Sequence, residues 1–265
     1  MMIGQQELVN KFNSYTLETL PHTILLLGDR GCGKHLLVKE LSTRLNIPMV
    51  DISNNINLET IENAMLNPFH SFYIIDTTQL NERQQNVILK FIEEPNERTY
   101  IFLLCENKST LLNTIINRCV PFVFKPYTKE ELSQFTKEQD DRLFKFCKTP
   151  GQLKEMNIQK LNDLELLCDN IINKIGRASI TNALTIANKL NYKDNYDKFD
   201  VNVFFEMLMF KSFEHYKNNN VNAKSIYFLT DSYYKKAKDS RLNKQQLIEN
   251  MLLNMWGMMR NANNL

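Results

Sequence analysis

Apolar residues in the front half of the chain form short continuous runs, whereas in the back half they recur at helical spacing. Thr23-Ile-Leu-Leu-Leu27, Ser71-Phe-Tyr-Ile-Ile-Asp76 and Tyr100-Ile-Phe-Leu-Leu-Cys105 are almost wholly apolar or β-branched, which predicts strands buried on both faces. Residues 48–52 and 121–124 read as two more strands. Helical patterns fill the gaps at residues 8–15, 34–45, 58–65, 82–93 and 111–117; in the second of these, Leu37, Leu41 and Leu45 repeat every four residues. Alternating strands and helices predict a parallel sheet covered on both faces. Beyond residue 125 the pattern is all helix, at 129–136, 140–147, 163–175, 180–190, 201–216, 223–238 and 244–259. In the last of these, Leu247, Ile248, Met251, Leu252, Met255, Trp256 and Met259 form one stripe, wide enough for a core face.

Composition agrees with this division. The chain has 265 residues, 43% of them hydrophobic, enough for one large core or two to three smaller ones. Three of seven glycines lie between Gly28 and Gly33, and all seven prolines fall at or before Pro150. Residues 1–125 carry 11 basic and 13 acidic side chains, net −2; residues 126–265 carry 21 and 17, net +4. The overall charge of +2 excludes a polybasic or strongly acidic tail. No apolar run approaches the length of a membrane span, and residues 1–12 lack the basic and apolar regions of a signal peptide, so a soluble intracellular protein without a membrane partner is expected. Five dispersed cysteines without a C-x-x-C fit free thiols in a reducing compartment and leave no metal-ligand spacing. Asparagine, 33 residues of 265, is spread through periodic segments and reads as compositional bias.

The first strand runs into Gly28-Asp-Arg-Gly-Cys-Gly33-Lys34-His35, and a helix follows. This is G-x-x-x-x-G-K between a strand and a helix, the context the motif requires. Glycine lets backbone N–H groups turn inward around an anion, and the helix aims its positive end at the same point. Gly28, Gly31, Cys32, Gly33, Lys34 and His35 are therefore candidate contacts for ATP or ADP, Lys34 reaching the outer phosphates. The alternative is a glycine-rich turn with no ligand. The motif normally closes on Ser or Thr, whose hydroxyl ligates Mg²⁺; His35 offers an imidazole, a poor ligand for so hard a cation, which argues against magnesium. The third strand has the form of a Walker B segment, with Asp76 placed to hold metal. Hydrolysing proteins of this type follow that aspartate with a glutamate that activates water; Thr77 follows here and cannot serve as the base. The two departures together predict a site that does not hydrolyse nucleotide, with weak binding through the loop amides and Lys34 left open.

The order of motifs resembles the AAA+ clamp-loader family. Ile3-Gly4-Gln5-Gln6, Leu20-Pro21-His22 and the phosphate loop look like the start of such a subunit. Tyr73–Leu80, then Asn86-Val-Ile-Leu-Lys-Phe-Ile-Glu-Glu-Pro95, resemble the segment from Walker B to the family's L-L-K-x-L-E-E-P helix. Ile101–Leu104 matches the next strand, Ile116-Asn117-Arg118-Cys119 aligns with an S-R-C box, and Thr149-Pro150-Gly151 resembles the lid's S-P-G. Within the family the pattern is most similar to the delta-prime branch of bacterial DNA polymerase III, whose members commonly combine a degraded nucleotide site with a retained S-R-C arginine.

The resemblance implies an α/β P-loop domain over residues 1–125, a helical lid over 126–175 and an all-α collar over 176–265. It implies a non-hydrolysing subunit of a hetero-pentameric ring that loads a sliding clamp onto primed double-stranded DNA, in the cytoplasm or in a viral or organellar replication compartment. Arg118 would be an arginine finger reaching a neighbour's nucleotide, with Asn117 in place of the usual serine. Arg83, Gln84 and Lys90 lie on the helix that relatives turn toward DNA; a polar solvent face is the alternative. Residues 35–76 hold no cysteine, so the zinc module of many bacterial relatives is missing. An active ATPase subunit is the second reading. A P-loop kinase is the third; it requires an arginine-rich lid, and residues 126–150 contain only Arg142.

Overall fold

The computed structural model describes residues 3–175, 200–239 and 242–262, with positions 179, 181 and 185. The helix expected at 180–190 lies almost wholly outside these residues. The described chain forms two compact units, the first running to Phe135 and including Thr149–Gly151.

The first unit is a five-stranded parallel sheet in the order β2-β3-β4-β1-β5: β1 (Thr23–Leu27), β2 (Met49–Asp51), β3 (Ser71–Asp76), β4 (Thr99–Cys105) and β5 (Val120–Val123). Strand residues alternate between two cores, as the pleat requires. Ile24, Leu26, Phe72, Ile74, Phe102 and Leu104 face one side, where Phe12 of α1 (Gln6–Ser14) and Leu37, Val38 and Leu41 of α2 (Lys34–Leu45) cover them. Leu25, Tyr73, Ile75, Ile101 and Leu103 face the other. There they meet Ile61 of α3 (Leu58–Met65), Ile88, Phe91 and Ile92 of α4 (Glu82–Glu93) and Ile115 of α5 (Asn113–Ile116). Both faces are covered, which accounts for the uninterrupted apolar strands.

The α/β fold and its strand positions follow the sequence reading, and the departures are local. Helix α5 is four residues long, against an expected 111–117, because Leu111 and Leu112 are extended. The first unit passes the expected boundary at residue 125 because contacts tie the next residues back. Gln5 grips the Lys125 backbone through both amide atoms, Nε2 donating to its carbonyl at 2.6 Å and Oε1 accepting from its N–H at 2.8 Å. Tyr127 reaches the phosphate loop, and Thr128 opens α6 (Lys129–Ser133) with a capping box to Glu131.

The second unit is helical: α7 (Asp141–Phe146), α9 (Ile158–Lys174), α10 (Val201–Lys217), α11 (Val221–Ala237) and α12 (Lys244–Ala262) lie in it. Helix α8 (Pro150–Glu155) was not foreseen; proline is suited to a first helical position. Helix α9 starts five residues before the expected 163, because the Asn157 side chain accepts from the Lys160 N–H and caps it there. The expected stripe on α12 is buried at Leu247, Ile248, Met251, Leu252, Met255 and Met259, while Trp256 is half-buried beside Arg260. Arg142, the one arginine of residues 126–150, is held by Asp140 at 2.6 Å, Glu165 at 3.0 Å and Asn162 at 3.1 Å. Among the described residues no helix is long and apolar enough to cross a membrane.

Candidate functional site

Ligands of open parallel sheets gather beyond the carboxyl ends of the strands, and the phosphate loop lies there, directly after β1. The Gly28 N–H donates to the Cys105 carbonyl at 3.0 Å, fixing the loop to β4. Gly31 and Gly33 adopt φ of 78° and 104°, the left-handed region that favours glycine. Gly33 is the N-cap of α2, so the helix begins inside the loop and directs its first N–H groups toward it.

Every carbonyl from Gly28 to Cys32 has a partner. Lys34 Nζ donates to Gly28 and, at 3.0 Å, to Asp29. Thr149 Oγ1 donates to Arg30 at 2.9 Å, the Gly151 N–H to Gly31 at 3.0 Å, and the Tyr127 hydroxyl to Cys32 at 2.8 Å. In a planar trans peptide the N–H opposes the carbonyl, so anchoring the carbonyls turns the matching N–H groups the other way, except at Cys32, whose N–H donates to the Asp29 carbonyl at 3.2 Å within the loop. That geometry fits a phosphate group. The Thr-Pro-Gly motif gains its reason here: a Cβ on Gly151 would lie 2.5 Å from Gly31 Cα. Burial pushes the Cys32 thiol up, and burial together with Cys32 and Glu131 pushes Tyr127 up to about 12.

The catalytic parts around this cradle differ. His35 is exposed on the first turn of α2. Asp76 ends β3, level with Leu104 of β4 and hence with Leu26 of β1, about 10 Å across two strand spacings. Its Oδ1 accepts from the Thr78 N–H at 2.9 Å and the Thr78 hydroxyl at 2.7 Å, closing a local turn. Thr77 is 2% exposed and donates its hydroxyl to the Leu104 carbonyl at 3.0 Å, away from solvent. Asn107 likewise caps a short turn, accepting from the Ser109 N–H at 3.0 Å. Among the described residues no cluster of His, Cys, Asp or Glu is arranged to hold a metal ion. At the loop itself the polar groups include backbone N–H groups, the Lys34 ammonium and the His35 imidazole.

Arg118 stands apart from these residues. It precedes β5, whose Val120 pairs with Ile24 and whose Val123 pairs with Leu27. Arg118 is thus in the turn that leads into the amino end of β5, whereas the phosphate loop follows the carboxyl end of β1. Nη1 donates to the Thr114 carbonyl at 2.9 Å and Nη2 pairs with Glu93 Oε1 at 2.8 Å. Asn117 is the C-cap of α5, and the buried Cys119 donates its thiol to the Ile115 carbonyl at 3.1 Å, its pKa pushed up to about 12 by burial.

Helix α4 connects the two ends. Arg83 and Lys90 are exposed on it; Gln84 is half-buried and its Oε1 closes the capping box with the Asn81 N–H at 3.1 Å. Gln85, which was not singled out from the sequence, is 4% exposed. Its Nε2 donates to Thr110 at 3.0 Å and its Oε1 accepts from Leu112 at 2.9 Å, joining α4 to the strand-to-α5 segment. The available signal was a polar residue at the start of the buried Gln85, Ile88, Ile92 stripe.

Comparison with known proteins is consistent with this layout. A family model described as DNA polymerase III, delta subunit, matches residues 48–128. The DNA polymerase III subunit delta' of Bacillus subtilis is 35% identical over 163 residues, covering 49% of this chain and 50% of that protein. The subunit gamma of Buchnera aphidicola subsp. Baizongia pistaciae is 28% identical over 166 residues, covering 49% and 45%. The chain thus spans about half the length of the curated relatives it matches. A DNA polymerase III gamma subunit-related protein from Thermotoga maritima shares the fold, with a TM-score of 0.51 and 15% identity over 96% of this chain and 99% of that one.

Proposed function

We propose that this chain, a clamp-loader-like AAA+ protein, is a non-hydrolysing, delta-prime-type subunit of a DNA polymerase III clamp loader. On this reading it sits among other clamp-loader subunits in a hetero-pentameric ring that places a sliding clamp on primed double-stranded DNA in the cytoplasm. The observation that carries the proposal is Thr77. At the position where a glutamate would activate water, a buried hydroxyl is bonded to the β4 backbone, so no group there can accept a proton from solvent. His35 removes the hydroxyl that would ligate magnesium. The loop N–H groups would hold the phosphates of ATP or ADP, which supply charge to the site when bound, and Lys34 would exchange its bonds to the Gly28 and Asp29 carbonyls for phosphate oxygens.

Arg118 supplies chemistry elsewhere. Its position at the far end of the sheet from its own loop supports a role in trans. There a guanidinium would neutralise charge on the transferred phosphoryl oxygens of an adjacent subunit's nucleotide. Arg83 and Lys90 are the exposed cations of α4 suited to DNA phosphates; the Gln84 side chain is already engaged in its helix cap.

Two measurements test the reading. The isolated chain should show no ATP turnover above background, and turnover abolished by Lys34→Ala would overturn the non-hydrolysing assignment. In the assembled ring, Arg118→Ala should leave assembly intact and lower ATP turnover by the neighbouring subunit on the order of 10²-fold or more. Unchanged turnover would refute the finger. The second reading, an active ATPase subunit, draws on the intact Lys34 and Asp76 and on the relatives named gamma. Lys34-dependent turnover by the isolated chain would favour it.

A further inference from the structure

The acidic pair that ends α4 has no part in the chain's own phosphate site, and its placement is unfavourable by itself. Glu93 is the last residue of α4 and Glu94 its C-cap, where the helix macrodipole disfavours anions. Arg118 offsets this at Glu93, with Nη2 2.8 Å from Oε1 and the two side chains 40% and 44% exposed. The second contact of the guanidinium, Nη1 to the Thr114 carbonyl at 2.9 Å, comes from α5. These two acceptors lie on elements that do not shift independently, because the Gln85 amide ties α4 to the backbone at Thr110 and Leu112 just ahead of α5. A guanidinium has five N–H donors in one plane. Thr114 takes one hydrogen of Nη1 and the Glu93 carboxylate pairs with Nη2 by charge, so Nε and further hydrogens on the terminal nitrogens remain to meet phosphoryl oxygens.

We infer that Glu93 is a positioning residue for Arg118: its carboxylate holds the guanidinium in the orientation that a neighbouring subunit's nucleotide meets. The inference rests on the finger reading above and adds to it the group that orients the finger. Without Glu93, Arg118 keeps its charge and reach but spreads over alternative rotamers. Ordering such a side chain at the moment of reaction then lowers turnover about three- to tenfold. The effect falls on the rate of the bound complex, because the nucleotide sits in the neighbour's own loop.

The test uses the complete ring of this chain with its native neighbours, with ATP turnover measured against ATP concentration. Glu93→Ala should lower kcat about three- to tenfold with KM unchanged. Glu93→Gln keeps an acceptor oxygen at the same reach and should recover most of the loss. Arg118→Ala and the double variant Arg118→Ala/Glu93→Ala should turn over equally slowly, since Glu93 acts only through Arg118. Equal losses in Glu93→Ala and Glu93→Gln, unaltered or faster turnover in Glu93→Ala, or a further loss in the double variant would each overturn the inference while leaving the finger standing. If Arg118→Ala itself has no effect, the finger reading fails and the inference falls with it. Should Glu93→Ala impair assembly, Glu93→Asp, which withdraws the carboxylate by one methylene, replaces it with the same expected ordering.

Discussion

The two ends of the parallel sheet have kept different things. At the carboxyl end the phosphate cradle is complete in its backbone: two left-handed glycines, five anchored carbonyls and a helix starting at Gly33. Of the two side chains at the positions the sequence reading singled out for chemistry, His35 is exposed and Thr77 is buried. At the amino end Arg118 is paired with Glu93 at 2.8 Å. Backbone shape and side-chain chemistry are therefore separable: the form of the loop rests on the partners of its carbonyls, not on the side chains at positions 35 and 77.

The largest test of this contrast is Thr77→Glu. If the missing base were a simple surface substitution, glutamate would restore turnover. The buried position predicts otherwise: a carboxylate forced against the Leu104 carbonyl should destabilise the fold by about 3–5 kcal/mol and yield no turnover, read by denaturant unfolding and an ATPase assay. A stable, active Thr77→Glu protein would break the comparison. Next is Gly151→Ala. Its Cβ would meet backbone rather than a flexible side chain, so the loop must shift. A loss of about 1–3 kcal/mol together with weaker nucleotide binding is expected, measured by unfolding and by calorimetric titration with ADP. Binding that is unaffected would show that the 149–151 segment is not what shapes the cradle.

The smallest effect sharpens the same point through pH. Tyr127 titrates near 12 in the folded chain against an ordinary value of 10. Between those values the unfolded chain has released the proton and the folded chain has not, so the native state binds more protons and stability falls as pH rises. This contribution is complete below about pH 10 and lost as pH passes 12. Tyr127→Phe should cost about 1 kcal/mol near neutral pH, by losing the bond to the Cys32 carbonyl, and should flatten the decline above pH 10 in guanidinium unfolding curves. A slope identical to that of the unsubstituted chain would exclude Tyr127 as its source.

Much of the first unit was legible in linear order. The strands β1, β3 and β4 are apolar on both faces, and α2 and α4 follow a helical period, because burial against two layers imposes those patterns. The phosphate loop was legible because glycine at defined spacing has a backbone meaning that no neighbour can alter. Element ends were less so: Asn157 starts α9 earlier than apolar spacing implied, and Pro150 opens a helix inside what read as a motif. Gln85 went unremarked because its partners, Thr110 and Leu112, are distant in sequence.

The order of residues by itself determined the α/β architecture, the glycine-lysine loop and the absence of a hydroxyl at His35 and of a carboxylate at Thr77, since each depends on local period or on residue chemistry. Only the tertiary structure decided that Thr77 points into the core, that Gly151 seals the loop against Gly31, and that Glu93 meets Arg118 at the end of the sheet away from the loop. Those are encounters between segments brought together by burial, and no local period along the chain encodes which side chain will face which.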